Sequence, residues 1–205
     1  MQFEYIEVSG GEIDAYRDAI GHLRIAVFRE FPYLYDGDLD YEREYLKVYA
    51  ESKDSLIVLL HANGQLVGAT TCIPMVDESE EFQKPFLDAG IDIATMIYFG
   101  ESIILPAFRG AGAGHEFFAR REQHAHRIGA KWMTFCAVDR PANHPLRPSD
   151  YRPLDEFWKR MGFAKNENLQ CTLQWKDIDE DEASFKKLTY WTKANQSHVM
   201  PSRLP

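Results

Sequence analysis

The stretch from Glu101 to Gly114 reads Glu-Ser-Ile-Ile-Leu-Pro-Ala-Phe-Arg-Gly-Ala-Gly-Ala-Gly, and it constrains the fold more than any other part of the chain. An apolar strand stops at Pro106, a basic residue and three alternate glycines follow, and a long helical pattern then begins. Glycines at 110, 112 and 114 let an anion approach the main chain without meeting side chains. The first turn of the helix adds unpaired N–H groups and the positive end of its dipole, and Arg109 adds a full charge beside them. Strand, turn and helix in this order describe a docking place for a phosphate. The glycines alone also allow a bare tight turn with close helix–sheet packing. A dinucleotide-binding turn fits less well, because it needs Gly-x-Gly-x-x-Gly and an acid at the end of the next strand. Here that strand, Trp132 to Val138, has no acid until Asp139. A P-loop is excluded, since no Gly-Lys-Ser/Thr follows.

The rest of the chain supplies elements around this turn. Ile13, Tyr16, Ile20, Leu23 and Val27 recur at helical steps and predict a helix over 12–29. An aromatic loop, Phe31 to Gly37, leads to a second helix with Asp40 as its expected cap and Tyr41, Tyr45 and Val48 on one side. Apolar runs over 55–61 and 65–71 flank Asn63-Gly64, a hairpin signal. A short helix is predicted over 79–87, interrupted by Pro85, and then the strand 95–105. After the glycine turn, Ala113, Phe117, Phe118, Ala125 and Ile128 predict the buried stripe of a helix over 112–128. Glu116, Arg120, Gln123, His124 and Arg127 form its expected solvated face. Prolines at 141, 145, 148 and 153 make 139–153 a loop, which carries Arg140, Asn143, His144, Arg147, Asp150 and Tyr151. A helix over 153–161, a strand over 169–175, a solvated acidic linker over 177–182 and a final helix over 182–193 complete the expectation. The chain reads as one domain over 1–195 followed by a loose tail over 196–205.

Composition narrows the partners. The 205 residues suffice for one domain with a substantial core. A net charge of −9, from 23 basic against 32 acidic residues, argues against general nucleic-acid binding. No window approaches the ~18 uninterrupted apolar residues of a membrane span. The start lacks the basic-then-apolar pattern of a secretion signal, so a cytoplasmic location is expected. Cys72, Cys136 and Cys171 sit in apparent strands without metal spacing, so they read as reduced core residues and no metal is expected.

Arg109-x-x-Gly112-x-Gly114, preceded by Ile104-x-Pro106, resembles the pyrophosphate-binding signature of the GNAT superfamily of acyl-CoA-dependent N-acyltransferases. The hairpin, the glycine turn and its helix, the strand, the short helix and Trp158-x-x-x-Gly162-Phe163 follow the family's order, so the resemblance spans residues 1 to 175. It implies an α/β (α+β) fold: a mixed, mostly antiparallel central sheet flanked by helices, with splayed parallel strands at the cofactor site. It implies acetyl-CoA as cofactor, with the pantetheine arm along the main chain of Ile103, Ile104 and Leu105. The pyrophosphate would then rest on Arg109, Gly110, Ala111, Gly112, Ala113 and Gly114, with Trp158 nearby.

By the same resemblance Glu101 is the candidate general base. Many relatives place a tyrosine acid four residues before the Gly-Phe pair, where this chain has Trp158, whose indole is no acid. The family's asparagine seven residues earlier is replaced by Tyr151. Tyr151 or His144 is therefore the candidate replacement acid, and a mechanism without a dedicated acid stays open. Phe31, Tyr33, Tyr35 and Arg147 are candidate acceptor contacts. The implied activity is direct transfer of an acetyl group to a primary amine of a small molecule or peptide. Trp158 keeps a second reading open, a non-catalytic acyl-CoA-binding module. The acyl group and a homodimeric state are left undecided.

Overall fold

The computed structural model describes residues 2–195; the tail expected over 196–205 lies outside the described residues. Seven strands form one sheet in the order β1-β2-β3-β4-β5-β7-β6. The strands are β1 (Phe3–Val8), β2 (Leu56–Ala62), β3 (Gln65–Pro74), β4 (Met96–Ile104), β5 (Trp132–Val138), β6 (Ala164–Trp175) and β7 (Ser184–Ala194). The helices are α1 (Arg17–Phe28), α2 (Leu39–Glu51), α3 (Glu80–Asp88), α4 (Ala113–Arg127) and α5 (Asp155–Arg160). Every pairing is antiparallel except β4 with β5. This is the mixed, mostly antiparallel sheet flanked by helices that the resemblance implies. Among the described residues no helix is long and apolar enough to cross a membrane.

Helices cover both faces of the sheet, so β2 is a continuous apolar run rather than an alternating one. Its Ile57 and Leu59 pack with Ile20, Leu23, Leu46 and Tyr49 of α1 and α2. Its Leu56, Val58 and Leu60 pack with Phe117, Phe118 and Ala125 of α4. Each such side chain contributes about 1.5–3 kcal/mol by leaving water. The β2–β3 hairpin turns at Asn63 and Gly64, whose φ values of 51° and 77° are the paired positive angles a two-residue turn requires.

Several expectations are corrected. The helix predicted over 12–29 divides into a 3-10 segment, Gly10–Tyr16, and α1. Asp38, not Asp40, caps α2 by accepting from the Tyr41 amide at 3.0 Å. That register buries Glu42, Leu46 and Tyr49 and leaves Tyr41 57% exposed. The final helix predicted over 182–193 is strand β7. Its lysines suggest a helix, but Leu188 and Tyr190 fill one core and Trp191 the other, the alternation of a strand buried between β5 and β6. Asp177, read as part of a solvated run, is buried and ion-paired with Arg140 at 2.6 Å. His124 is also buried, with Nε2 2.7 Å from the Asp54 carbonyl.

Candidate active site

The parallel pair opens into the site. β4 and β5 are in register only from Met96 opposite Trp132 to Tyr98 opposite Thr134, and then diverge. A cavity of about 1110 Å³ occupies the opening. A β-bulge in the β3–β4 pairing, between Thr70 and Cys72, reverses the facing of β4 beyond it. Tyr98 and Ile103 therefore face the same core although five residues separate them. The bulge also turns Glu101 toward α1 and α2.

Beyond the bulge, β4 offers main chain to the cavity. The Leu105 amide donates to the Val67 carbonyl at 2.9 Å, so Leu105 faces β3. Backbone direction alternates along a strand, which leaves Ser102 and Ile104 facing the opening. The Ile104 carbonyl is accepted territory already: Arg109 Nε donates to it at 2.8 Å. Ile103 is fully buried in the core. Of the three residues expected to line the cofactor arm, only Ile104 borders the cavity, and Ser102 joins it.

The turn is built for an anion at its main chain. Gly110 and Gly112 have φ of 79° and 89°, a region closed to most side chains. Gly112 is the N-terminal cap of α4 and supplies no side-chain cap, so the Ala113 and Gly114 amides keep their donors, while the His115 amide donates to the Gly112 carbonyl at 3.0 Å. Gly110, Gly112, Ala113 and Gly114 line the cavity, while Ala111 is exposed outside it. Arg109 borders the cavity, yet its guanidinium pairs with Glu30 at 2.7 Å. It ties the turn to the segment after α1 as well as placing a charge near it.

Glu101 is 5% exposed and sits in a buried charged cluster that the sequence does not announce. Arg24 Nη1 lies 2.6 Å from its Oε2, an ion pair too bent to count as a hydrogen bond. Arg24 Nε donates to Glu42, and its guanidinium stacks 4.0 Å from the Tyr45 ring centre. The Tyr45 hydroxyl donates to Glu101 Oε2 at 3.2 Å and lies 3.2 Å from the Tyr49 hydroxyl. The Tyr49 hydroxyl donates to Glu78 at 3.4 Å. Burial pushes Glu78 up to about 7. Glu101 Oε1 has no hydrogen-bond partner, and Glu101 lines the cavity. A signal for Arg24 was present: it falls on the buried stripe of α1, between Leu23 and Val27, where a cation is out of place.

The aromatic loop and the proline-rich loop close the opposite side. Phe31 and Tyr33 line the cavity, and Tyr151 packs edge-on against Phe31 with ring centres 4.7 Å apart. Arg140 fixes the loop by donating to the carbonyls of Pro32 and Tyr33, each at 2.7 Å. Tyr151 lines the cavity too, and burial raises its phenol, so it keeps its proton at neutral pH. Arg147 borders an adjoining cavity of about 450 Å³ and lies over the Tyr151 ring at 4.9 Å. His144 lines neither cavity; its ring packs near Phe31 at 5.7 Å and its Nδ1 accepts from the Leu146 amide at 3.2 Å. Tyr35 lies away from both, against Tyr41. Trp158 lines the cavity, packed against Phe135 and Trp191 with ring centres 5.1 Å from each.

Arg121 also borders the cavity and is 2% exposed. Its guanidinium lies 4.3 Å from the Phe99 ring centre and 4.6 Å from that of Phe118. Burial pushes it down to about 10, so it remains a cation at neutral pH. Its place four residues after Phe117 and three after Phe118 puts it on the apolar stripe of α4, the signal that could have found it. Among the described residues no cluster of His, Cys, Asp and Glu is arranged to hold a metal ion.

No family model matches the sequence, and no curated protein matches it. Solved structures match the fold. A candidate acetyltransferase from Salmonella typhimurium, solved with its cofactor acetyl-CoA, is 12% identical with a TM-score of 0.58, covering 100% of both chains. A ribosomal-protein-alanine N-acetyltransferase from Brucella melitensis is 13% identical with a TM-score of 0.58, covering 92% of this chain and 99% of its own. An acetyltransferase of the GNAT family from Streptococcus pneumoniae is 10% identical with a TM-score of 0.57, covering 93% and 99%. The chain has the fold of the GNAT acetyltransferases.

Proposed function

We propose that this chain is a GNAT-superfamily N-acetyltransferase that moves an acetyl group from acetyl-CoA directly to a primary amine of a small molecule or peptide. One observation carries the reading: Glu101, a buried residue whose Oε1 has no hydrogen-bond partner, lines the cavity that Ser102 and Ile104 of the splayed β4 also line. The residues fit coenzyme A. The glycine turn offers bare amides for its pyrophosphate, and the cavity is of the size class that holds extended ligands.

Bound there, a coenzyme A thioester supplies an activated acyl carbon. The protein's own groups account for the rest. Glu101 Oε1 accepts the proton that the amine nitrogen gives up as it forms the new C–N bond. An amide of Ser102 or Ile104 stabilises the charge developing on the acyl oxygen, a contribution of about 3 kcal/mol for one well-placed donor. Tyr151 keeps a proton to give to the sulfur as the C–S bond breaks. Cys136 also borders the cavity, but burial raises its thiol, which disfavours a covalent acyl–cysteine route. Phe31 and Tyr33 form the acceptor wall, with Arg147 at its rim.

Incubation with acetyl-CoA and a panel of small amines and peptides, followed by detection of free thiol, tests the proposal. Amine-dependent release of coenzyme A supports it. The ion pair that occupies Glu101 Oε2, and Trp158 at the expected acid position, favour the second reading of a non-catalytic acyl-CoA-binding module. Binding of acetyl-CoA without turnover on any acceptor would select that module.

A further inference from the structure

Among the described residues Arg24 and Arg121 are buried and the Arg140 side chain is nearly so, and two of these have their charge matched. Arg24 is paired with Glu42 and Glu101. Arg140 is paired with Asp177. Arg121 forms no ion pair among the described residues, and its Nε has no hydrogen-bond partner. It is the most enclosed of the three, held between the rings of Phe99 and Phe118. A desolvated cation with no carboxylate in ion-pair contact is unfavourable, and its attraction for an anion is strengthened by the low-dielectric wall around it.

The aromatic part of the cavity lining is Phe99, Phe118, Phe135, Trp158 and Trp191, and the first two lie against the Arg121 guanidinium. A cation set between aromatic rings does not suit an inorganic ion, which needs several donors. Such surroundings suit a short hydrocarbon chain that ends in a carboxylate, which a guanidinium binds well. Arg121 lines the same cavity as Glu101, and its guanidinium lies 4.3 Å from the Phe99 ring centre.

We propose that Arg121 is the acyl-specificity residue of this cavity and that it selects coenzyme A thioesters of short dicarboxylic acids over neutral acyl groups of the same length. The inference rests on the reading of the cavity as a coenzyme A thioester site. An acetyl group fits the same cavity but leaves Arg121 unmatched.

Titration calorimetry of the full chain with acetyl-CoA, butyryl-CoA and succinyl-CoA tests this without knowledge of the amine. The last two carry four-carbon acyl groups and differ chiefly in the terminal carboxylate. Succinyl-CoA is expected to bind the wild type about tenfold or more tighter than butyryl-CoA. In Arg121→Met, which keeps bulk and removes charge, that preference is expected to vanish. Arg121→Lys is expected to retain part of it. Equal affinity of the two four-carbon thioesters for the wild type would overturn the inference, and needs no variant to fold. So would a preference that survives in folded Arg121→Met. If acetyl-CoA and butyryl-CoA bind and the carboxylate brings no advantage, the role of Arg121 falls alone. If no thioester binds, the function proposed above falls with it.

Discussion

Removing Arg24 should expose how much of the fold depends on the charge cluster under the site. Arg24→Met keeps most of the side chain's volume but leaves Glu42 and Glu101, which are 0% and 5% exposed, without their cation. Breaking a buried ion pair from one side costs about 3–5 kcal/mol, because the remaining charge stays desolvated. The lost stack on Tyr45, at 4.0 Å from the ring centre, adds about 0.5–2 kcal/mol. A total of about 3.5–7 kcal/mol is a large share of the ~5–15 kcal/mol typical of a domain. With a urea dependence of about 2–3 kcal/mol per molar, the unfolding midpoint should fall by about 1–3.5 M. Urea unfolding followed by tryptophan fluorescence reads this directly. A triple variant that also carries Glu42→Gln and Glu101→Gln should recover much of the stability. A loss below about 1 kcal/mol, or a triple variant no more stable than Arg24→Met alone, would refute the electrostatic reasoning.

Other consequences can be checked separately. Glu101→Gln should lower turnover at pH 7 by about tenfold or more while acetyl-CoA binding persists; unchanged turnover with a verified amine would remove Glu101 from the chemistry. Glu78, raised by burial to about 7, holds its proton in the folded chain at pH values where the unfolded chain has lost it. Its contribution to stability is therefore present at low pH and lost as pH rises from the ordinary carboxylate range through about 7, a change of roughly 3 kcal/mol. Glu78→Gln should flatten that slope in a pH series of urea unfolding curves, and an unaltered slope would assign it to another group. Gly112→Ala, at φ 89°, forces a strained backbone at the head of α4 and should cost about 1–2 kcal/mol, seen as a lower melting temperature and weaker acetyl-CoA binding.

The strand, glycine turn and helix around Pro106 were legible because each is a local rule: alternation, positive φ and a helical stripe. So was the hairpin at Asn63-Gly64. β7 was not, because Phe185-Lys-Lys-Leu carries lysines that read as helical, and only its place between β5 and β6 makes the extended form the stable one. Glu101 was found through the resemblance, but its partners Arg24, Glu42 and Tyr45 come from helices distant in sequence and meet it only through the bulge in the β3–β4 pairing. His144 and Tyr35 are reactive types in suitable loops, and spacing alone could not tell that their rings pack outside the cavity. Arg109 was legible as a charge at the turn, whereas its bond to Glu30 depends on where the first helix ends.

The most direct test of the account is where acetyl-CoA touches the chain. In amide-resolved NMR of the isotope-labelled protein, titration with acetyl-CoA to about 1 mM, the upper range of ordinary substrate affinities, should shift Ser102, Ile104 and the amides from Gly110 to Gly114 together. Saturation of those resonances at one equivalent is the predicted result. No shifts at that concentration, or shifts confined to residues away from the β4–β5 opening, would contradict the assignment of this cavity.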